Sequence, residues 1–287
     1  PNPTPKGYKR LALIIPCTKY KPYITSREHK AINSSLLMDG WEPIGESNAP
    51  SELTKFIEDG DDPKIFHEGS LKKGNLILDR IVISEPLGLV PYEYIYFWKG
   101  EQSPATSYDD PGLFESRGTS ISPYRDDCTA LKVGDKKWKW GDSERNSYVY
   151  MHNYLAELIA FSLKRVSKNY HSIVAWVSPG LTHRSFLADH KTRTMEGIPK
   201  SRKVNGESKK LGGVLDITPK ILEIMPTIKE LKLSQQNLEK RLKKEGRYSS
   251  PNSVLSVYAR GDGNDTPLGL KETLEFLQKR LNQISNK

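Results

Sequence analysis

The chain has 287 residues, 36% of them apolar, and 44 Lys and Arg against 35 Asp and Glu give a net charge of +9. Its mean hydropathy of −0.62, and the lack of any apolar run near the 20 or so residues of a membrane span, argue against fibrous and membrane classes. An export signal is not recognisable, and Cys17 and Cys128 are too few for a disulfide framework, so we expect a cytoplasmic protein with free thiols.

Three apolar runs predict strands. Residues 11–15, 76–83 and 172–177 have the continuous apolar pattern of strands buried on both faces of a parallel sheet. Between the last two, residues 146–166 carry apolar side chains at three- and four-residue spacing, which predicts a helix. Strands separated by helical segments predict an α/β fold, a three-layer sandwich with a mostly parallel central sheet.

Each predicted strand is followed by an abrupt turn. Cys17 follows the first strand, Glu85 the second, and residues 178–183 the third. Ligands of open α/β sheets bind in the crevice at the carboxyl ends of the strands. We therefore expect these three segments to converge on one edge of the sheet.

The pattern changes near residue 191. Residues 191–213 are polar, rich in Gly and Lys and without a period, which predicts a mobile loop or linker. Thr218 is placed to begin a short helix that Pro226 interrupts. Leucines at helical spacing predict two further helices, over 227–245 and 267–284. We expect a core over residues 1–190 and a basic linker with a helical C-terminal extension over residues 191–287.

The positive charge is concentrated in this second part. Residues 191–247 contain 15 Lys and Arg against 7 Asp and Glu, which is most of the net charge. Such a segment is typical of a protein that binds a polyanion, although a solvated Lys-rich pair of helices would give the same pattern. The candidate contacts to nucleic-acid phosphates are Lys191, Arg193, Lys200, Arg202, Lys203, Lys209 and Lys210.

A second irregular segment, at about residues 113–140, has the pattern of an insertion between the sheet elements. It ends in Lys-Lys-Trp-Lys-Trp at residues 136–140. Basic residues interleaved with Trp fit contacts to phosphates and stacking on bases. They fit equally well a surface hairpin that buries two indole rings.

Three short segments carry a resemblance. Residues 16–29 have the pattern P-C-x3-K-P-Y-x2-S-x2-H, with fixed positions at Pro16, Cys17, Lys21, Pro22, Tyr23, Ser26 and His29. Residues 82–91 read V-I-S-E-P-L-G-L-V-P, and residues 108–111 read Y-D-D-P. In this order, over about residues 10–190, they resemble the core domain of archaeosine synthase, the archaeal paralogue of tRNA-guanine transglycosylase. The resemblance implies a uracil-DNA-glycosylase-like α/β fold.

The resemblance also implies a specific activity. Archaeosine synthase acts on tRNA whose D-loop carries 7-cyano-7-deazaguanine, and it adds the side-chain amine of free L-lysine to the nitrile. A partner radical-SAM enzyme then cleaves the adduct. The family's degenerate transglycosylase domain and its RNA-binding PUA domain are not recognisable in this sequence, so we expect a separate subunit to supply RNA binding, and modified DNA is an alternative substrate.

The chemistry selects candidate catalytic residues. The lysine ε-amine, with a pKa of about 10.4, must be deprotonated, and a proton must reach the nitrogen of the former nitrile. Glu85, Asp109 and His29 are the candidates for proton transfer. Cys17 offers a covalent route through a thioimidate, while lining the substrate site and inert packing are its alternatives.

Other side chains in these segments suit binding. Lys21 is a candidate partner for a phosphate or for the carboxylate of lysine, Tyr23 for stacking on the deazaguanine, and Ser26 for the base edge. Ser84, Ser178 and His183, at the strand ends, are further candidates for substrate contacts. The alternative for Lys21, Tyr23 and Ser26 is a structured loop without a chemical role, and the alternative for His183 is a loop histidine whose hydrogen bonds are satisfied.

No cofactor is expected, because metal-ligand spacings and the glycine-rich motifs for ATP or dinucleotides are absent from the sequence. Two other functions stay open. One is a glycosylase-like enzyme that acts on a modified base in DNA or tRNA, which needs a flipped base. The other is a non-catalytic subunit that binds such a base within a modification complex.

Overall fold

The described chain alternates between strands and helices. The computed structural model describes residues 3–18, 20–85, 87–107, 126–134, 137–252, 254 and 267–285. The strands are β1 (Lys9–Pro16), β2 (Glu42–Pro43), β3 (Leu71–Lys73), β4 (Leu76–Ser84), β5 (Gly88–Pro91), β6 (Phe97–Trp98), β7 (Glu101–Gln102), β8 (Leu131–Gly134), β9 (Lys137–Lys139), β10 (Ser172–Trp176), β11 (Ser201–Val204), β12 (Glu207–Lys210) and β13 (Glu223–Met225). The helices are α1 (Arg27–Met38), α2 (Pro104–Ser107), α3 (Asp142–Val166), α4 (Thr182–Leu187), α5 (His190–Glu196), α6 (Val214–Ile217), α7 (Ile228–Lys244) and α8 (Lys271–Ser285).

Seven of the strands form one mixed sheet. Its order is β13-β10-β1-β4-β3-β2, and β5 pairs with the end of β4. The four strands β13, β10, β1 and β4 are parallel, whereas β2, β3 and β5 add antiparallel pairs on one side. The predicted α/β class and its parallel centre are confirmed, because the three apolar runs form β1, β4 and β10.

Helices cover both faces of the sheet. Along β1, Leu11, Leu13 and Ile15 belong to one core cluster and Ala12 and Ile14 to the other, as the alternation of side chains in a strand requires. Side chains of α1 and α8 complete the first cluster, and side chains of α3 complete the second. The result is the three-layer arrangement expected from the sequence.

The segment after residue 190 differs from its prediction. The mobile loop predicted over residues 191–213 is wrong, since α5 and the hairpin β11–β12 occupy it. Asn205 and Gly206 both have positive φ and form a two-residue turn, the geometry that suits the twist of two antiparallel strands. The short helix predicted from Thr218 is also wrong, because α6 ends at Ile217 and the next element is the strand β13.

The last two predicted helices are confirmed, and they join the rest of the fold. Thr227 caps α7, and its N–H and hydroxyl both donate to Glu230 Oε2, at 2.7 and 2.8 Å. From α8, the Gln278 side chain donates to the Ser35 carbonyl at 3.1 Å on α1. Elements from both sides of residue 190 therefore build the same sheet and the same helical layer.

The described end of the segment at residues 113–140 is a hairpin on the surface. Strands β8 and β9 pair antiparallel, and Leu131 is 65% exposed. The Trp140 ring lies 5.6 Å from the ring of Tyr148 on α3. This part of the segment is therefore a surface hairpin, and the indole of Trp140 packs against α3.

None of the helices in the described part of the chain is long and apolar enough to cross a bilayer.

A buried ion pair holds the carboxyl ends of two strands together. Arg184, 1% exposed, donates to the carbonyls of Val177 and Pro226 at 2.8 and 3.1 Å, which follow β10 and β13. Its remaining donors reach both carboxylate oxygens of Glu196, with Nε to Oε2 at 2.8 Å. The pair thus fixes α4 and α5 against the end of the sheet.

We predict that Glu196→Ala lowers the free energy of unfolding by about 3–5 kcal/mol, because it leaves the charge of Arg184 buried without its carboxylate. Urea denaturation measures the change. Glu207→Ala, at an exposed position of β12, is the control and should change stability by less than about 0.5 kcal/mol. A decrease below about 1 kcal/mol for Glu196→Ala would contradict this role of the ion pair.

Candidate functional site

Segments from three strands meet at the carboxyl edge of the parallel strands. Cys17, directly after β1, places its Sγ 3.1 Å from Nε2 of His183, in the first turn of α4 after β10. The Cys17 N–H donates to the carbonyl of Ile83 in β4 at 2.9 Å. Glu85 follows β4 at the same edge. The predicted convergence of these segments is therefore confirmed.

The thiol of Cys17 and the imidazole of His183 form a hydrogen-bonded pair. Burial lowers the pKa of His183 to about 4, and the positive charge of Lys21 acts in the same direction. The ring is therefore neutral at neutral pH, with Nε2 facing the half-buried thiol of Cys17. Its Nδ1 is buried and has no hydrogen-bond partner within the described residues. A neutral imidazole in this position shares a hydrogen bond with the thiol.

Lys21 stiffens the loop that carries Cys17. Its ammonium donates to the carbonyl of Thr18 at 2.6 Å and lies 4.7 Å from the centre of the Tyr23 ring. Cys17, Thr18 and Lys21 are half-buried, so this loop forms part of the surface of the edge. The structure places the positive charge of Lys21 close enough to His183 to affect its protonation.

Tyr23, Ser26 and Ser84 lie below this surface. The Tyr23 hydroxyl and Ser84 Oγ are 3.0 Å apart, and both residues are at most 1% exposed. Ser26 caps α1, since its Oγ accepts from the backbone N–H of His29 at 3.2 Å. All three side chains are buried and bonded within the protein, and the contacts expected of them with a base stay a prediction.

His29 lies in the same buried layer. It is fully buried, with Nε2 2.8 Å from the Pro16 carbonyl and Nδ1 2.7 Å from the Tyr92 hydroxyl. Because a carbonyl only accepts, Nε2 carries the proton and Nδ1 accepts from Tyr92. Burial lowers the pKa of His29 to about 4, so the ring stays neutral. Both nitrogens are occupied, which corrects the expected role in proton transfer: His29 fixes the strand end just before Cys17.

Tyr148 joins the edge to the basic hairpin. It lies on α3, and burial raises its pKa, with the charge of Arg202 opposing the shift and that of Glu85 adding to it. The Arg202 guanidinium lies 5.2 Å from the centre of the Tyr148 ring. Glu85 is 8% exposed. Sequence reasoning missed Tyr148, because its spacing from Met151 is that of an ordinary core position.

The predicted phosphate contacts fall into two groups. Those on the surface, exposed or half-buried, are Lys191, Lys200, Lys203, Lys209 and Lys210, with Arg202 half-buried over Tyr148. Arg193 is not on the surface: it is 1% exposed and donates to the carbonyls of Ala188, Ser185, Pro199 and Gly212. Its role is corrected to a structural one, since its guanidinium holds the chain around α5.

Ser178 and Asp109 are the remaining predicted site residues. Ser178 is 3% exposed, and its hydroxyl donates to the Pro179 carbonyl at 3.2 Å. Asp109, with the rest of the segment at residues 108–111, lies outside the described residues. Over the ranges that the structure describes, no group of three or more His, Cys, Asp or Glu could hold a metal ion.

Comparisons of the chain with protein-family models, with curated proteins and with solved structures find no match.

We predict that His29 makes stability fall in acid. The unfolded chain takes up a proton at this histidine near pH 6.5, whereas the folded protein resists until about pH 4, so the free energy of unfolding decreases as the pH falls through this window. This one group contributes up to about 3 kcal/mol. Urea denaturation from pH 7 to pH 4 should show a smaller decrease for His29→Gln than for the wild type. Equal decreases would contradict a buried neutral His29.

Proposed function

We propose that this chain is a transferase that adds the side-chain amine of free L-lysine to the nitrile of 7-cyano-7-deazaguanine in the D-loop of a tRNA. The proposal starts from the resemblance of three segments to the archaeosine synthase core. The observation that supports it most is the pairing of Cys17 with His183, 3.1 Å apart, at the ligand-binding edge of the sheet. The three-layer fold is compatible with the uracil-DNA-glycosylase-like core that the proposal includes.

A covalent route uses the pair directly. The Cys17 sulfur adds to the nitrile carbon, while its proton passes through His183 to the nitrile nitrogen, and a thioimidate forms. The neutral ε-amine of lysine then adds to the same carbon. The carbon–sulfur bond breaks, the sulfur regains a proton, and an amidine remains on the base. Sulfur is restored at the end, so the sequence needs no oxidant, reductant or cofactor.

The incoming lysine must lose a proton before it attacks. Glu85 follows β4 at this edge, and its carboxylate is mostly buried. We assign the proton of the lysine ammonium to this carboxylate, since a buried carboxylate beside an ammonium is an effective base. Holding the amine close to the thioimidate supplies much of the remaining acceleration.

In this proposal, the polynucleotide binds on the side of the site where the basic hairpin β11–β12 lies. Arg202 of the hairpin lies over Tyr148, whose pKa responds to Glu85, so the hairpin borders the edge. Lys203 and Lys210 are exposed on the same hairpin. We also propose a cytoplasmic setting and partner subunits, one that adds RNA binding and a radical-SAM enzyme that consumes the amidine.

Incubation with tRNA carrying the nitrile base and with labelled lysine tests the function. Transfer of label to the tRNA is the expected result. Release of the free base without label would replace the proposal with a glycosylase-like activity, and binding without reaction would replace it with a binding subunit. The same assay with modified DNA decides which polynucleotide is the substrate.

We predict that Cys17→Ala lowers the rate of lysine transfer by at least about 100-fold, because the covalent route is removed. Single-turnover transfer of labelled lysine measures the rate. Cys128→Ala is the matched control, since Cys128 is the other free cysteine and is also half-buried, and it should retain the wild-type rate. A near-normal rate for Cys17→Ala would assign the reaction to direct attack by the amine.

We predict that RNA affinity depends steeply on salt through the hairpin lysines. Replacing Lys203, Lys209 and Lys210 with Gln should reduce the slope of log affinity against log salt by about one for each phosphate that is no longer neutralised. Lys220→Gln is the control, since this exposed lysine precedes β13 at the opposite edge of the sheet. An unchanged slope in the triple variant would move the phosphate contacts away from this hairpin.

A further inference from the structure

A groove lies along the outer side of α3, away from the sheet. It has a volume of about 680 Å³, and its lining includes Asn146, Tyr150, Asn153, Tyr154 and Lys209. Tyr148, two residues before Tyr150, is half-buried and its ring contacts those of Trp140 and His152. The groove therefore begins on the same two turns of helix that border the reacting edge.

Large aromatic rings are exposed in this groove. Tyr150 is 68% exposed and Tyr154 is 52% exposed, and they are four residues apart, so they share one face of the helix. Their ring planes differ by 10°, with centres 6.4 Å apart. Phe161, further along α3, is 59% exposed. Exposed rings in a row along a helix mark a binding surface rather than a packing face.

One side of the groove is bordered by the basic hairpin, which contributes Lys209 to the lining. The hairpin β11–β12 packs beside α3, and Lys209 donates from Nζ to Asn146 Oδ1 at 2.8 Å. Residues 201–210 contain four basic side chains and one acidic side chain, Glu207. Glu157 is the acidic residue of the groove lining. A partner that matches flat rings beside a basic wall is an anion with exposed π-faces, which describes a nucleic acid with unstacked bases.

We propose that this groove binds a single-stranded segment of the polynucleotide, with bases stacked on Tyr150 and Tyr154 and phosphates held by the hairpin lysines. A duplex does not fit this recognition, because its bases are already stacked on one another. The inference rests on the proposed function for the identity of the polynucleotide. It adds a surface that binds an unpaired loop next to the carboxyl ends of the parallel strands. Such a surface binds a loop in preference to a helical stem.

The test uses the whole chain and an unmodified single-stranded RNA of about 12 nucleotides labelled with fluorescein, with a blunt duplex of the same sequence for comparison. Fluorescence anisotropy gives the affinity for each. We expect the single strand to bind more tightly than the duplex. The double variant Tyr150→Ala, Tyr154→Ala should bind the single strand at least about tenfold more weakly, because one or more bases no longer have a ring to stack on.

Two controls separate stacking from folding. Tyr150→Phe with Tyr154→Phe keeps both rings and should bind as the wild type does. Phe97→Ala removes an exposed ring from β6, on another surface, and should leave the affinity unchanged. The thermal midpoint of the alanine variant should equal that of the wild type, because both side chains are exposed.

Retained affinity in the alanine variant would overturn the inference and assign the exposed rings to a protein partner. Equal binding of single strand and duplex would overturn it as well, as would a wild-type chain that does not bind the single strand. Neither the nitrile base nor lysine is present in this assay. Lysine transfer to modified tRNA can therefore succeed while this inference fails, and the inference can hold while transfer fails.

Discussion

The parallel pairing of β1 between β4 and β10 decides where Cys17, Glu85 and His183 lie. Eight residues of β1 pair with β4 and four with β10, so the three strands end at the same edge. Cys17 is the first residue after β1, and its N–H still bonds to β4. The backbone therefore holds the Cys17 thiol in a fixed position at the carboxyl ends of the strands, within hydrogen-bonding distance of His183. A thiol on a mobile loop would not keep the short distance to the imidazole on which the proposed chemistry depends.

A buried polar network fixes the end of β1 from below. His29 donates to the Pro16 carbonyl and accepts from Tyr92, and the Arg80 guanidinium lies 4.4 Å from the centre of the Tyr92 ring. Arg80 in turn donates to Asn33 Oδ1 at 2.8 Å. Buried polar groups that satisfy one another rigidify their surroundings. In this arrangement, the histidine of the sequence motif holds the backbone next to the cysteine of the same motif.

The sequence indicates the three strands β1, β4 and β10 of the seven-stranded sheet, but not the short strands β2, β3, β5 and β13. Residues 11–15 are apolar without interruption, which distinguishes a doubly buried strand even in a single sequence. β13 has three residues and no comparable run, and only its parallel pairing with β10 makes it a strand. The Asn205-Gly206 pair, in contrast, is a strong local hairpin signal that the polar composition around it obscured. Local turn chemistry was the better guide than overall polarity.

The residues of the candidate site likewise fall into those that the sequence predicts and those that it does not. Pattern and topology brought Cys17, Glu85 and His183 to one edge, because strand ends are predictable once the strands are. Whether a side chain at that edge faces outward is set by packing. Ser26 precedes α1 as a cap, which its position before the helix signals, but the burial of Arg193 follows from carbonyls scattered over separate turns. The sequence analysis placed Arg193 among the phosphate contacts because a count of charged residues does not show which of them are buried.

The central claim is that Cys17 becomes bonded to the nitrile carbon of the base. Intact-protein mass spectrometry tests it most directly: the protein is mixed with RNA carrying the nitrile base in the absence of lysine, treated with nuclease, and mapped by peptide digestion. The account predicts a nucleotide adduct on the peptide that contains Cys17, and its discharge when lysine is added. Lysine transfer that proceeds at the normal rate with no such adduct at any time would contradict it.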